Sequence, residues 1–376
     1  MLFKNFTILD ENFNLVAKDL IVENGIITQI ALPNLLNNSE NNAINDFVDG
    51  TGLYLLPGLL DEHIHGAVNY DTMDASNEGL DKISRFLAGH GITSFLATTM
   101  SMPVTALNKV FDLETNLSGA KLLGYHMEGP FINMNKKGAQ NPAYIRNATY
   151  EEYKNYHHRE KIKLISLAPE TEGALKFIRQ AGEEVVCQLG HTLADDTTAN
   201  LAFNYGAKGL CHLFNAMPEL MHRAPGTVGA GCLNHTYAEI IADGVHNSPA
   251  TVYAAYKMFG ADHLILVSDA MRAAGLQDGE YDLGGQTVTV SKGVARIANG
   301  AIAGGISNIW DNVKRITSYG IPLQDAVRMA SLTPATYLGF DNQIGSLKKS
   351  KRADFFAVTH DLEIKRVWID GKEFDF

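Results

Sequence analysis

Tyr54-Leu55-Leu56-Pro57-Gly58-Leu59-Leu60-Asp61-Glu62-His63-Ile64-His65 is the stretch that decides the fold. Its apolar run, Tyr54 to Asp61, is typical of a β-strand. His63 and His65 follow, and an extended backbone would place both imidazoles on one side, where they could bind one cation. The alternative is a pair of solvent-facing histidines in a loop. The stretch therefore predicts a β-strand that ends in reactive side chains.

Apolar runs of this kind recur along the middle of the chain, separated by segments of helix length. Eight strand–helix units over about 290 residues fit a (β/α)8 barrel of the TIM type, which usually has about 250 residues plus insertions. An open, doubly wound sheet is the alternative. The eight runs are Tyr54 to Asp61, Thr93 to Ala97, Leu122 to Met127, Leu164 to Leu167, Val185 to Leu189, Gly209 to Cys211, Ile240 to Ala242 and Leu264 to Val267.

Polar residues that could bind a metal or take part in catalysis lie where these runs end. The carboxyl ends of barrel strands converge on one face, where active sites are built, so residues far apart in sequence can meet there. Scatter by chance would put several of them on helices. The residues at run ends are Asp61, His63, His65, Glu128, His191, His212, Asp243, His246 and Asp269.

Glu128, His191 and His212 together make two histidines and one carboxylate. This is the ligand set of a catalytic zinc or iron site with open positions. Taken singly, Glu128 could be half of a salt bridge, and each histidine could be a hydrogen-bonded structural residue. Asp269 ends the eighth run, where helix capping is the alternative to catalysis.

The stretch from Cys211 to Pro218, followed by Arg223 and several glycines, is typical of a catalytic loop that closes over an anionic ligand. Arginine suits phosphate because its planar fork donates two parallel hydrogen bonds. An ordinary surface arginine is the alternative. The loop predicts that Arg223 recognises an anionic part of the substrate.

The two ends of the chain are β-rich, and neither has enough strands for a core of its own. We expect residues 1–52 and 346–376 to pair as a small β-sandwich domain, with residues 53–345 forming the barrel. The Asn-rich segment 34–45 is predicted to be a long hairpin tip. Residues 276–298 are predicted to be a hairpin inserted after the eighth strand.

The composition excludes several classes of protein. The 376 residues carry a formal net charge of -11, without the basic footprint of a nucleic-acid-binding protein. No apolar window approaches the roughly 20 residues of a membrane span, and the N-terminus lacks the pattern of a secretory signal. Three scattered cysteines suit a reducing compartment rather than a disulfide framework. We expect a cytoplasmic protein.

Five motifs carry a resemblance to a known family. The first stretch, Leu56 to Gly66, resembles the first-strand motif of the amidohydrolase superfamily. When four further motifs are added to this stretch, the chain resembles the N-acetylglucosamine-6-phosphate deacetylase family over nearly its whole length. The other four are Met127-Glu128-Gly129-Pro130-Phe131, Gly190-His191-Thr192, His212-Leu213-Phe214-Asn215-Ala216-Met217 and Ala242-Asp243-Gly244-Val245-His246.

The resemblance implies a role for each site residue. Glu128, His191 and His212 would hold the principal divalent cation, and His63 and His65 a second one. Zinc or iron suits these ligands best, with manganese or cobalt as alternatives, at one or two ions per subunit. The substrate would be bound by Gln140, Asn215, Ala216, Arg223 and His246, with Arg223 acting in its own or a neighbouring subunit of a homodimer or higher oligomer.

The chemistry implied is hydrolysis of the acetamide of N-acetyl-D-glucosamine 6-phosphate, a step of amino-sugar catabolism. A bound cation lowers the pKa of water enough to supply hydroxide at neutral pH, and Asp269 would act as general base and then general acid. Alternatives are the galactosamine epimer, an N-acyl amino acid or a cyclic ureide as substrate, or a non-catalytic sugar-phosphate sensor.

Two positions depart from the family pattern. Gln140 stands where some members have a histidine that helps to polarise the carbonyl, and a glutamine amide can donate but cannot become cationic. Gly305 stands where a serine is expected. Neither departure removes an expected ligand.

Overall fold

A computed structural model describes residues 1–38, 47–114 and 116–376. Most of the Asn-rich segment predicted to be a hairpin tip lies outside them. The strands are β1 (Leu2–Leu9), β2 (Leu15–Glu23), β3 (Ile26–Ala31), β4 (Phe47–Asp49), β5 (Tyr54–Pro57), β6 (Leu59–Ile64), β7 (Gly66–Ala67), β8 (Tyr70–Asp71), β9 (Ile92–Thr99), β10 (Lys121–Glu128), β11 (Ile162–Leu167), β12 (Val186–Leu189), β13 (Gly209–Leu210), β14 (Tyr237–Ile241), β15 (Leu264–Val267), β16 (Gly279–Leu283), β17 (Gln286–Ser291), β18 (Val294–Ile297), β19 (Phe355–Val358), β20 (Ile364–Ile369) and β21 (Lys372–Glu373).

Most of the described α-helices begin at a polar residue whose side chain caps them or at proline. The side chains of Ser76, Asp195, Ser248 and Asn308 accept hydrogen bonds from backbone N–H groups of the first turn. Within the described ranges, no helix is long and apolar enough to cross a membrane. The α-helices are α1 (Asn77–Gly89), α2 (Val104–Phe111), α3 (Tyr150–Lys154), α4 (Ala174–Ala181), α5 (Asp196–Asn204), α6 (Gly226–Leu233), α7 (Pro249–Phe259), α8 (Ile309–Ser318), α9 (Leu323–Met329) and α10 (Leu332–Tyr337).

Eight parallel strands form the barrel, in the order β6, β9, β10, β11, β12, β13, β14 and β15. The ring is completed between its first and last strands by a parallel bridge from Ile64 to Ala270, and the N–H of His65 donates to the Ala270 carbonyl at 2.9 Å. The predicted (β/α)8 barrel is therefore confirmed, and the open sheet is excluded. Each of the eight apolar runs contributes a barrel strand.

The first run is divided between two sheets, which the sequence did not predict. Tyr54–Pro57 pairs with β1 and β19, whereas Leu59–Ile64 is the first barrel strand. The chain crosses at Gly58, where a Cβ would collide with the Thr93 side chain. The terminal sheet thus continues past the boundary expected after residue 52.

The two termini build one sheet in the order β21, β20, β19, β5, β1, β2 and β3, with β4 paired to β1. Phe3 on β1 contacts Phe355 on β19 and Trp368 on β20, with ring centroids 5.0 and 5.2 Å apart. Strands lie about 4.8 Å apart in a sheet, so a contact across three strand spacings requires the sheet to curl around its own core. This sheet forms the small β-sandwich.

The insertion after the eighth barrel strand has three strands, β16, β17 and β18. The sequence predicted a two-stranded hairpin here and missed one strand. Gly284 and Gly285 both have positive φ, as a two-residue hairpin turn between right-twisted strands requires. The insertion packs on Met100 and Met271, and Leu283 reaches the cavity at the barrel mouth. It forms one wall of that cavity.

Candidate active site

Glu128, the last residue of β10, is the centre of a cluster of buried histidines. Its Oε1 lies 2.9 Å from Nε2 of His191 and 3.0 Å from Nε2 of His212, and the two Nε2 atoms are 3.0 Å apart. His191 and His212 follow β12 and β13, so the ends of three barrel strands supply the cluster. The predicted convergence of these three residues is observed.

The orientation of His191 suits metal binding. Its Nδ1 lies 2.8 Å from the carbonyl oxygen of Lys136, which can only accept a hydrogen bond. Nδ1 therefore carries a proton, so Nε2, which faces Glu128 and His212, is the nitrogen that a cation could bind in place of a proton. Metal-binding histidines are commonly oriented by such a hydrogen bond.

His63, His65 and Asp269 stand beside this cluster. Nε2 of His63 lies 3.5 Å from Glu128 and 3.4 Å from Asp269, and Nε2 of His65 lies 3.3 and 3.2 Å from the same carboxylates. Nε2 of His63 is buried and has no hydrogen-bond partner in the part of the chain that the structure describes. A divalent cation between these groups would satisfy that atom, so the donor set fits a metal.

The electrostatics of the site favour positive charge. Burial opposes the charged form of His65, but its hydrogen bonds with the Asp269 and Glu128 carboxylates outweigh burial and raise its pKa to about 10. Burial would raise the pKa of Asp269, but the charge of His63 and the hydrogen bond from His65 lower it to about 2. The pKa of Glu128 is lowered well below its ordinary value, against burial, by the charge of His191 and by hydrogen bonds from the histidines. The carboxylates that stabilise these protons would also stabilise a bound divalent cation.

Asp269 follows β15 with a φ of 46°, and its N–H donates to the His63 carbonyl at 2.9 Å. Among the described residues, the next α-helix begins only at Ile309, so the alternative role of helix cap is excluded. The backbone tie to His63 instead holds the Asp269 carboxylate over the histidine pair.

A cavity of about 370 Å³ opens above the cluster, a size suited to a small-molecule ligand. Every expected site residue except His63 and Arg223 lines it, and Nε2 of His63 lies 3.4 Å from the Asp269 carboxylate in the wall. The expected residues in its wall are His65, Glu128, Gln140, His191, His212, Asn215, Ala216, His246 and Asp269.

The loop after β13 forms the far side of the cavity. The Asn215 amide donates to the carbonyls of His212 and Leu213, and the Ala216 carbonyl accepts from Thr192. His246 is held through Nδ1 by Asp243 at 2.8 Å; burial opposes its charged form, but this partner raises its pKa.

Arg223 is exposed and does not line the cavity within this chain. The structure therefore does not bring it together with the other expected substrate-binding residues. A contact between Arg223 and a substrate in this cavity would need another subunit or a movement of the loop.

The two departures have structural reasons. The Gln140 amide donates to Oε2 of Glu128 at 2.6 Å and its oxygen accepts from the N–H of Ser101 at 2.6 Å, so this side chain is held against Glu128. Gly305 pairs with the backbone around Ala270, and a Cβ there would lie 2.5 Å from the Ser268 carbonyl oxygen. A serine at this position would force the two segments apart.

The sequence assigned no functional role to several buried polar residues beneath the cluster. Glu239 accepts from His63 Nδ1–H at 2.9 Å and from the N–H of His212 at 3.0 Å. His126 and Cys211 lie in the same layer. Glu239 had a detectable signal, because a carboxylate inside the strand-like stretch Tyr237–Ile241 is costly without a partner.

Comparison with known proteins assigns the chain to a family. A family model described as the amidohydrolase family matches residues 54–374, which include the barrel and its site. This chain belongs to the amidohydrolase family. Amidohydrolases of this family are metal-dependent, in agreement with the donor set of the cluster. As an amidohydrolase the chain is an enzyme, which argues against the alternative of a non-catalytic sensor.

Three similar proteins narrow the comparison. An N-acetylglucosamine-6-phosphate deacetylase of Vibrio furnissii is 38% identical over 85% of this chain and 82% of its own. An N-acetylgalactosamine-6-phosphate deacetylase of Escherichia coli O157:H7 is 36% identical over 85% of this chain and 87% of its own. A mutant N-acetyl-D-glucosamine-6-phosphate deacetylase of Mycobacterium smegmatis, solved with N-acetyl-D-glucosamine-6-phosphate, superposes with a TM-score of 0.90 at 27% identity, covering 100% of this amidohydrolase and 99% of its own chain. The family resemblance read from the five motifs is confirmed.

Proposed function

We propose that this amidohydrolase hydrolyses the acetamide of N-acetyl-D-glucosamine 6-phosphate to D-glucosamine 6-phosphate and acetate, in amino-sugar catabolism. The observation that carries the proposal is the cavity itself. It combines the Glu128–His191–His212 cluster, the Asp269 carboxylate and the Asn215–Ala216 loop, which together suit the acetamide at one end of the substrate and the phosphate at the other. Relatives that act on this substrate support it.

Glu128, His191 and His212 would hold one divalent cation, with His63 and His65 able to hold a second. Imidazole and carboxylate ligands suit zinc or iron best, and manganese or cobalt next. The bound cation would polarise the acetyl carbonyl and make a water molecule acidic enough to lose a proton near neutral pH. Gln140 would keep Glu128 in place and present its amide to the carbonyl side of the cavity.

Asp269 would carry the proton between the reacting groups. Its carboxylate is ionised at neutral pH, because the neighbouring histidines lower its pKa to about 2, and it lies 3.2 Å from His65 Nε2 at the edge of the cavity. It would accept a proton from the attacking water and pass it to the nitrogen of the departing amine, which leaves poorly without one.

The phosphate would be bound by the backbone of Asn215 and Ala216 and by an arginine, while His246 contacts the sugar. Because Arg223 is exposed and outside the cavity, we propose that it reaches the cavity of a neighbouring subunit. The adjoining surface carries exposed apolar side chains, including Leu220, Met221 and Leu233, the last 73% exposed. Covering such residues is a reason for subunits to associate, and we propose a homodimer.

N-acetylgalactosamine 6-phosphate is the second candidate substrate, because a deacetylase for it is similar to this chain at almost the same identity. The two sugars differ only in configuration at one hydroxyl-bearing carbon. We place the enzyme in the cytoplasm, since its three cysteines are free and two of them are fully buried thiols that suit a reducing compartment.

The test measures acetate release from both epimeric N-acetylhexosamine 6-phosphates, from their unphosphorylated forms and from an N-acetyl amino acid, and ring opening of a cyclic ureide, with metal analysis on the same protein. We expect turnover of N-acetyl-D-glucosamine 6-phosphate that is lost on chelation and restored by a divalent cation. Faster turnover of the galactosamine epimer would favour the second candidate. Indifference to phosphate, or binding without turnover in the metal-replete protein, would overturn the proposal.

A further inference from the structure

A single carboxylate oxygen beneath the active site reaches both groups of expected cation ligands. Glu239, on β14, is fully buried. Its Oε2 lies 2.9 Å from Nδ1 of His63 and 3.0 Å from the backbone nitrogen of His212. His63 belongs to the second cation position and His212 to the first, so Glu239 links two positions that the sequence separates by 149 residues.

Glu239 is itself held firmly. Its Oε1 accepts from the amide of Gln188 at 2.8 Å, and the Gln188 oxygen accepts from the hydroxyl of Tyr337 at 3.2 Å. The backbone carbonyl of Glu239 accepts from the N–H of Leu213 at 2.7 Å. The carboxylate can therefore fix the direction of its partners, since fully satisfied buried networks are rigid.

The layer below the active site could be mistaken for another metal site, because His63, His126, Cys211 and Glu239 bring potential ligand atoms close together. Apart from Nε2 of His63, the side-chain nitrogen and oxygen atoms of this layer already have partners. His126 is paired with the hydroxyls of Thr98 and Ser166, and Glu239 accepts from three N–H groups. The layer is thus complete as a hydrogen-bonded network.

The opposite edge of the His63 ring behaves differently. Nδ1 faces Glu239, which can only accept, so Nδ1 carries a proton. Nε2 then points towards the carboxylates of Glu128 and Asp269 and has no hydrogen-bond partner among the described residues. One edge of the ring is anchored and the other is left for a cation.

We infer that Glu239 is a positioning residue: it holds His63 with the proton on Nδ1 so that Nε2 faces the second cation position, and it ties the backbone of His212 to the same point. Occupancy of the second position then depends on a residue that touches neither substrate nor cation. The inference rests on the proposed cation positions but not on the identity of the substrate.

The first test measures Zn²⁺ binding to metal-free protein by competition with a chromophoric chelator, in the wild type and in Glu239→Gln. An amide keeps the shape, but it is a weaker acceptor, and its NH₂ group would oppose the NH₂ of Gln188. Loss of such an outer hydrogen bond typically weakens metal binding about 10- to 100-fold. We expect a loss of that size at the second position.

Glu62→Gln is the matched control. Glu62 is an equally buried carboxylate next to His63, but neither of its oxygens has a hydrogen-bond partner among the described residues. We expect its Zn²⁺ affinities to equal those of the wild type. Unchanged affinity in Glu239→Gln, or equal losses in both variants, would overturn the inference in favour of a general effect of buried charge.

The second test needs no variant that could fail to fold. Nitrogen NMR of the metal-free wild type, with ¹⁵N-labelled histidine, distinguishes the two imidazole nitrogens. We expect His63 to keep its Nδ1 proton and to lose any Nε2 proton when Zn²⁺ binds. A His63 protonated only on Nε2 overturns the inference, whereas failure to release acetate would overturn the proposed function and leave these measurements standing.

Discussion

The cluster at the barrel mouth and the core of the terminal sheet are equally buried but are stabilised differently. Phe3, Phe355 and Trp368 fill the terminal core with aromatic rings and almost no polar atoms. Glu128 and its histidines fill the barrel mouth with groups whose protonation depends on one another.

The difference teaches which substitutions each region can accept. Apolar burial is nearly non-directional, so the terminal core needs volume more than it needs particular residues. The cluster needs particular atoms at particular distances, because a buried charge without its partner is costly. Damage to the core should therefore lower stability, and damage to the cluster should lower activity or metal binding.

The largest expected effect is on catalysis. Asp269→Asn removes the proton carrier without changing side-chain shape, and general acid–base groups typically contribute about 10²- to 10⁴-fold. We expect kcat for acetate release to fall by that factor. The matched control is Asp354→Asn, which alters a buried aspartate of the terminal sheet that pairs with Lys121; its kcat should stay at the wild-type value. Normal turnover in Asp269→Asn would rule out the proton carrier.

Trp368→Ala tests the other region. Removing a fully buried aromatic side chain typically costs about 3 to 5 kcal/mol. We expect denaturant unfolding to show that loss, with unchanged kcat for the fraction that remains folded. Phe47→Ala, in the same sheet but 52% exposed, should change the free energy of unfolding far less. Equal losses in the two variants would contradict the importance of the terminal core.

Arg223→Ala should separate phosphate recognition from metal binding. Hydrogen bonds to charged groups are worth about 1.5 to 3 kcal/mol, so KM for phosphorylated substrate should rise roughly 10- to 150-fold, with little change for unphosphorylated sugar. Metal content should stay the same. Arg179→Ala, an exposed arginine on α4, is the control. Loss of metal in Arg223→Ala would show that the loop supports the cation cluster instead.

The smallest effect concerns pH. The pKa of His65 is raised to about 10, and that of His191 is also raised. Burial opposes both charges, but neighbouring carboxylates stabilise the protonated histidines more strongly. A cation must displace these protons, so the free protein binds more protons than the metal-bound protein does. Zn²⁺ affinity should fall as pH falls through neutrality, by about tenfold per pH unit for each proton displaced. Affinity that is independent of pH would contradict this.

The barrel could be predicted because each strand is a short apolar run with a distinct end. The site could be predicted in part for the same reason, since Glu128, His191, His212 and Asp269 all stand at run ends. Glu239 could not be assigned a role, because its partner atoms come from β6 and from the loop after β13. Local sequence does not show which strands become neighbours in a ring.

The sequence by itself determined the barrel, the β-rich ends and the residue types at the strand ends. Apolar runs, and the polar residues that end them, are local properties of the chain. Tertiary structure alone decided the crossing at Gly58, the exposure of Arg223 and the proton on His63 Nδ1. Each of these depends on contacts between segments far apart in sequence. The relative orientation of such segments, and the distances between their side chains, are set only when the barrel closes.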